Sequence, residues 1–285
     1  MTALVIVALL LQRPTYTSHA DLVVLHVSVL DRHAGYLSDL PRDAFSVTED
    51  GRPQQIEFFQ HEDTAVTVGL VIDSSGSMRR RRESVIAAGM AFAASSNPAD
   101  ELFTINFNER VWPGLDEGQD FTSDGATLRR ALNRSTARGQ TALFDALSAA
   151  MRHLEKGHES RKVLIVVSDG GDNASRTTCD DILDRALRSD IVVYTVGIFD
   201  SDDDEKNPKL LKKLSDVTGG EAFFPKTNED VQPVFERIAR DIRSSYTLGY
   251  VPRDGRPGEH RLHVDVRDPA RRKLTVRARA AYVGK

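Results

Sequence analysis

Among 285 residues the chain has one cysteine, Cys179, and one tryptophan, Trp112. A lone cysteine excludes an internal disulfide framework and a multi-cysteine zinc site. Basic residues are not in excess. Against 42 Asp and Glu stand 38 Lys and Arg, a net charge of −4, which argues against nucleic-acid binding by the chain as a whole. No apolar run approaches the roughly 18–20 residues needed to span a bilayer. Three catalytic signatures are missing too: no G-x-S-x-G elbow surrounds Ser75, and neither a Walker loop nor a G-x-G-x-x-G fingerprint occurs. What is present is 40% hydrophobic and 28% charged residues, enough to build a core.

The first 20 residues read as a segment apart. Residues 3–11 (ALVIVALLL) are unbroken apolar sequence, too short to span but suited to the core of a signal peptide. Ser18-His19-Ala20 then offers small residues where a signal peptidase would read, with cleavage before Asp21. The expectation is export to the periplasm, outer surface or exterior. If the run is an ordinary buried strand instead, the chain stays in the cytoplasm.

Periodicity divides the rest into three zones. Residues 21–63 read as strands: Val23, Leu25, Val27 and Val29 alternate with Val24, His26, Ser28 and Leu30. Phe45, Val47 and Glu49 lead into Asp50-Gly51, a strong hairpin signal, with Ile56, Phe58 and Phe59 expected in the return strand. Residues 64–245 change rhythm. Apolar runs at 66–72, 103–107, 163–167 and 191–196 alternate with helical patterns at 83–94, 141–155, 180–189 and 208–218. Val85, Ala88, Gly89 and Phe92 form one helical stripe, as do Leu143, Leu147, Ala150 and Leu154. Continuous apolar strands imply burial on both faces, hence an α/β, doubly wound, mostly parallel sheet covered by helices. Residues 246–285 return to strands. Neither terminal zone alone is large enough for a good core, so both are expected to pair into a small flanking β-sandwich.

Ligands of open α/β sheets bind beyond the carboxyl ends of the strands. Asp73-Ser74-Ser75-Gly76-Ser77 follows the first buried strand and Ser168-Asp169-Gly170-Gly171-Asp172 the third. Gly139-Gln140-Thr141 opens the second helix. Asp73, Ser75 and Ser77 are spaced by two, Thr141 adds a hydroxyl and Asp169 a second carboxylate. Oxygen donors alone, without His or Cys, select Mg²⁺, with Ca²⁺ or Mn²⁺ as alternatives, over zinc or copper.

This pattern of Asp73-x-Ser75-x-Ser77 with Thr141 and Asp169 resembles the metal-ion-dependent adhesion site of von Willebrand factor type A domains, over roughly residues 64–245. The flanks, Asp43-Ala44-Phe45-Ser46-Val47-Thr48-Glu49-Asp50-Gly51 and Tyr246-Thr247-Leu248-Gly249-Tyr250, resemble a bacterial subgroup of exported proteins with this domain. The resemblance implies that Ser75, Ser77 and Thr141 bind the ion through hydroxyls, and that Asp73 and Asp169 hold it directly or through water. It further implies a protein partner whose exposed Asp or Glu completes the coordination, and a binding module instead of an enzyme. Two alternatives stand beside it: an accessory domain whose ion only rigidifies the loops, and a Mg²⁺-dependent phosphohydrolase.

Each feature also has a plainer reading. The Asp and Ser residues, and Thr141, could simply cap helices. Asp145 suits a capping-support role, and Asp172 either support of the site or turn chemistry. Arg79, Arg80, Arg81 and Arg82 could be a solvated helix start, yet cations oppose the dipole there. They could instead steer acidic partners towards the metal. The acidic run at 200–205 reads as a solvated loop. Cys179, beside Asp180 and Asp181, reads as structural. The eight histidines are scattered, none with an evident nucleophile partner.

Overall fold

A computed structural model describes residues 22–284 apart from 33–34, 62, 135–136, 200–205, 254 and 270–272. The leader-like segment and the acidic run at 200–205 therefore lie outside the described residues.

The chain opens with β1 (Val23–Asp31), β2 (Gly35–Tyr36), β3 (Phe45–Glu49), β4 (Arg52–Gln54) and β5 (Phe58–Gln60). The central region then runs through β6 (Thr67–Asp73), α1 (Arg82–Ser95), β7 (Glu101–Phe107), β8 (Val111–Pro113), α2 (Gly125–Asn133) and α3 (Leu143–Leu154). It continues with β9 (Lys162–Ser168), α4 (Cys179–Leu187), β10 (Val192–Gly197), α5 (Pro208–Thr218), β11 (Ala222–Phe223) and α6 (Val231–Ser244). Four strands close the chain: β12 (Tyr246–Tyr250), β13 (Gly258–Val266), β14 (Leu274–Arg277) and β15 (Ala281–Gly284).

The central sheet has the order β11-β10-β9-β6-β7-β8, parallel except for the edge strand β8. Every residue of β6 is buried, as continuous apolar sequence requires of a strand covered on both faces. Val68, Leu70 and Ile72 pack with Val85, Ala88 and Phe92 of α1 and with Phe235, Ile238 and Ile242 of α6. Val71 faces the other side, against Leu143, Leu147 and Leu154 of α3 and Ile182 of α4. The fold is thus the doubly wound α/β architecture expected. Two helices have no clear signature in the sequence. In α6, Val231, Phe235, Ile238 and Ile242 form a buried stripe that Pro233 and the charged residues between them obscure. Pro233 sits in the first turn, where an N–H has no intrahelical partner, so it does not break the helix. The second, α2, is short and starts at Gly125, behind its Asp124 cap.

The terminal strands form two further sheets, both antiparallel and each mixing the two ends of the chain. In one, β1 lies between β12 and β14; in the other, β3 pairs with β13. Leu25, Val27, Val47, Tyr246, Leu248 and Val264 share one core between them. The Asp50-Gly51 turn is realised, with both residues at positive φ (49° and 77°), the primed geometry that Asp-Gly favours. The expected return strand is corrected, however. A two-residue turn makes Arg52–Gln54 the return strand, while Phe58 and Phe59 cross to the other sheet and pair with β12.

Candidate metal centre

The central sheet reverses its winding at β6, with β7 on one side and β9 on the other. Loops leaving two strands at such a switch point diverge and leave a crevice. Asp73 ends β6 at that point. Its Oδ1 accepts the Ser75 N–H (2.8 Å), closing an Asx turn, and its Oδ2 accepts the Ser168 hydroxyl (2.7 Å). The Ser75 and Ser77 hydroxyls lie 3.0 Å apart, and Ser77 donates to Asp169 Oδ2 at 2.6 Å. Asp169 Oδ1 accepts the Gly171 N–H (2.9 Å). The turn after Asp169 depends on Gly170, at φ 85°, where a Cβ would sit 2.7 Å from the Asn207 carbonyl.

Main-chain bonds fasten the Thr141 loop to the other two. Gly76 donates to the Gly139 carbonyl and Arg138 to that of Ser74. The Thr141 N–H reaches Asn173 Oδ1 (2.9 Å), and Asn173 and Ala174 both donate to the Thr141 carbonyl. Asp73, Ser75, Thr141 and Asp169 are all at least 95% buried, whereas Ser77 is exposed.

The capping readings fare unevenly. The N-cap of α3 is Ala142, and its first-turn N–H groups of Phe144 and Asp145 are met by Asp172 and Ser175, not by Thr141. Asp145 accepts from Arg176 and Thr177, the supporting role expected of it. Ser168 and Asn173 support the cluster although the sequence pattern marks neither as a site residue. Pairing of Ile72 with Val167 across β6 and β9 is what places Ser168 beside Asp73, a relation no local pattern shows.

Two carboxylates near one another inside a protein repel. Asp73 has its pKa pushed up to about 7, first by burial and then by the charge of Asp169, against hydrogen bonds from Ser75 and Ser168. A divalent cation would relieve that repulsion, and the donor chemistry fits one. Octahedral Mg²⁺ with ligands at about 2.0–2.1 Å has ligand edges of roughly 3.0 Å. The 2.6 and 3.0 Å oxygen separations here already approach that spacing.

The arginine run divides. Arg81 bonds Asn228 Oδ1 (2.7 Å) and Arg82 the Asn133 carbonyl (3.0 Å), so local contacts hold them at the helix start. Arg79 and Arg80 are exposed. Cys179 opens α4 behind the Thr178–Asp181 capping box, and burial pushes its thiol pKa up, consistent with a structural residue. Three of the described histidines have carboxylate partners that sequence could not reveal: His153 with Asp120, His158 with Glu101, and His260 with Glu49 and Asp50.

With this geometry in place, comparison with known proteins is specific at the level of family. The von Willebrand factor type A domain model matches residues 67–237, and the chain belongs to that family. Domains of this kind generally mediate metal-dependent protein interaction. The chain is 24% identical over 172 residues to the uncharacterized protein sll0103 of Synechocystis sp., a match over 59% of this chain and 40% of that one. It thus spans less than half the length of this relative. A von Willebrand factor type A structure from Catenulispora acidiphila superposes over 94% of this chain and 75% of its own, with TM-score 0.56 and 14% identity. The corresponding domain of the type V pili tip protein Mfa5 from Porphyromonas gingivalis has TM-score 0.51 and 16% identity, covering 62% of this chain and 95% of that chain. Proximal thread matrix protein 1 of the mussel byssus, solved with a zinc-occupied adhesion-site motif, has TM-score 0.55 and 14% identity, over 68% and 49%. At these identities the structures speak for fold alone.

Proposed function

We propose that this chain is a binding module in which Asp73, Ser75, Ser77, Thr141 and Asp169 hold Mg²⁺, and a partner's Asp or Glu completes the coordination. The observation that supports it most is the Ser77 hydroxyl, which contacts both Ser75 and Asp169 and so ties two strand ends into one oxygen cluster. With Asp73 and Asp169 acting through water, the neutral hydroxyls that touch a bound cation would leave its charge poorly compensated and the ion electrophilic towards an outside carboxylate. The exposure of Ser77 supports an approach from the surface by such a carboxylate. Arg79 and Arg80, exposed a few residues on, would attract an acidic partner. We place this binding outside the cytoplasm, on the strength of the apolar run at 3–11 and the Ser18-His19-Ala20 that follows it. Among the described residues no helix is long and apolar enough to cross a membrane.

The test combines calorimetry with capture. Mg²⁺ titration of the chain should show uptake that Asp73→Ala abolishes. A partner captured from native extract in Mg²⁺ should be released by EDTA. Capture that persists in EDTA, with no cation uptake, would defeat the reading. Cation uptake that raises the melting temperature but leaves capture unchanged would favour an ion that only rigidifies the loops.

A further inference from the structure

We propose a second divalent-cation site, formed by Glu49, Asp50 and His260 on the terminal sandwich and suited to zinc. It lies on sheets that the central site does not touch and draws on a different donor set. The three side chains each offer one ligand atom, and these atoms lie within 4.8 Å of one another.

The site follows from the β3–β4 turn. Asp50 adopts φ 49°, and its Oδ1 accepts the Arg261 N–H (2.9 Å), which folds the carboxylate back onto β13. Glu49, the last residue of β3, has a side chain only 8% exposed. His260 of β13 is equally buried, and its ring stacks on Tyr282 of β15 with centroids 5.2 Å apart. The orientation of that ring is informative. Nε2 lies 2.7 Å from the Arg256 carbonyl, which can only accept, so Nε2 carries a proton. In a neutral ring Nδ1 then presents its lone pair to Asp50 Oδ2 (2.8 Å) and Glu49 Oε1 (3.1 Å). A lone pair facing two anionic oxygens requires a cation between them, either a proton on Nδ1 or a metal.

One further atom favours the metal. Glu49 Oε2 is buried and accepts no hydrogen bond of ordinary geometry, with the fully buried Tyr250 hydroxyl beside the Glu49 carboxyl and the Tyr282 hydroxyl donating to Oε1 (3.2 Å). A proton on Nδ1 is used by Oε1 and Oδ2 and does not reach Oε2. A divalent ion has four to six positions and can take Oε2 directly. An imidazole anchored through its other nitrogen to a backbone carbonyl is also the usual setting of a metal-ligating histidine. One imidazole with two carboxylates selects ions of borderline character over Mg²⁺ or Ca²⁺. Tetrahedral zinc ligands sit about 3.3 Å apart, near the 2.8 and 3.1 Å separations of Nδ1 from the two carboxylate oxygens. The Asp50 side chain, 48% exposed, leaves an entry path.

The experiment uses the full chain, freed of any affinity tag, with Asp73→Ala to silence the central site. Zn²⁺ is titrated in competition with a chromophoric chelator at pH 7.5. One equivalent should bind, and adding either His260→Gln or Asp50→Asn should weaken it at least tenfold. Asp50 is half-exposed at a turn, so Asp50→Asn serves if His260→Gln disturbs folding, as circular dichroism would show. In the unsubstituted chain the same changes should lower total Zn²⁺ stoichiometry by one. The proposal is overturned if Asp73→Ala binds no Zn²⁺, or if uptake is indifferent to both substitutions, in which case His260 is an imidazolium held by two carboxylates.

Discussion

Asp73→Asn separates the electrostatic cost of the central site from its ability to hold an ion. The Asp73 carboxyl is 3% exposed, and its pKa of about 7 lies some three units above the ordinary value of 3.8. A carboxyl whose folded pKa is raised favours folding when protonated. Its contribution is therefore intact below about pH 4 and is lost progressively as pH rises to 7. Beyond that the metal-free fold carries a penalty of roughly 4 kcal/mol, at about 1.4 kcal/mol per unit. Asparagine removes the charge but not the shape. Its carbonyl still accepts from Ser75, and its amide can donate to the Ser168 hydroxyl in place of accepting from it. In EDTA at pH 8 the variant should be more stable than the parent by about 2–4 kcal/mol, a rise in melting temperature of roughly 5–15 °C. At pH 4 the difference should vanish. Millimolar Mg²⁺ should stabilise the parent and leave the variant unmoved, closing the gap. Thermal melts of both proteins across pH 4–8, with EDTA and with Mg²⁺, decide the matter. A variant less stable than its parent in EDTA at pH 8, or a gap independent of pH, would refute the reasoning.

Three other substitutions test the surrounding structure. Arg277 of β14 bonds Asp241 of α6 and pairs with Glu221, and the Tyr194 hydroxyl donates to the same Asp241 oxygen (2.8 Å). Arg277→Met should leave the fully buried Asp241 unpaired and cost about 3 kcal/mol in chemical denaturation, with part recovered on adding Asp241→Asn. Gly69→Ala would place a Cβ 2.4 Å from the Phe103 ring and 2.7 Å from Leu164, an overpacking worth about 1–3 kcal/mol by the same assay. Replacing exposed Arg79 and Arg80 with glutamine should slow partner association several-fold at low salt and flatten its salt dependence, with little change in dissociation; surface plasmon resonance reads both rates.

Much of the central sheet is legible in the chain because burial on two faces demands uninterrupted apolar strands. The runs at 66–72 and 163–167 differ from β6 and β9 by a residue or so at each end. The helical stripes of Val85–Phe92 spacing and of Leu143 with Leu147 are the buried faces of α1 and α3. Helix α6 escaped because a proline and alternating charges masked its stripe, although its apolar face completes one side of the sheet. For the candidate site, residue types and spacing single out Asp73, Ser75, Ser77, Thr141 and Asp169, since oxygen-only donors after buried strands are a chemical pattern.

By itself, then, the amino-acid order determined the alternation of strand and helix and the oxygen character of the loops, both of which are local properties of side-chain size and polarity. Only the tertiary structure decided which side chains become neighbours. Strand pairing sets Ser168 against Asp73 across 95 positions, and the Asp50 turn brings Glu49 and Asp50 to His260 across some 210. Contacts of that range depend on sheet register and on which strand lies beside which, and neither is written in any short stretch of sequence.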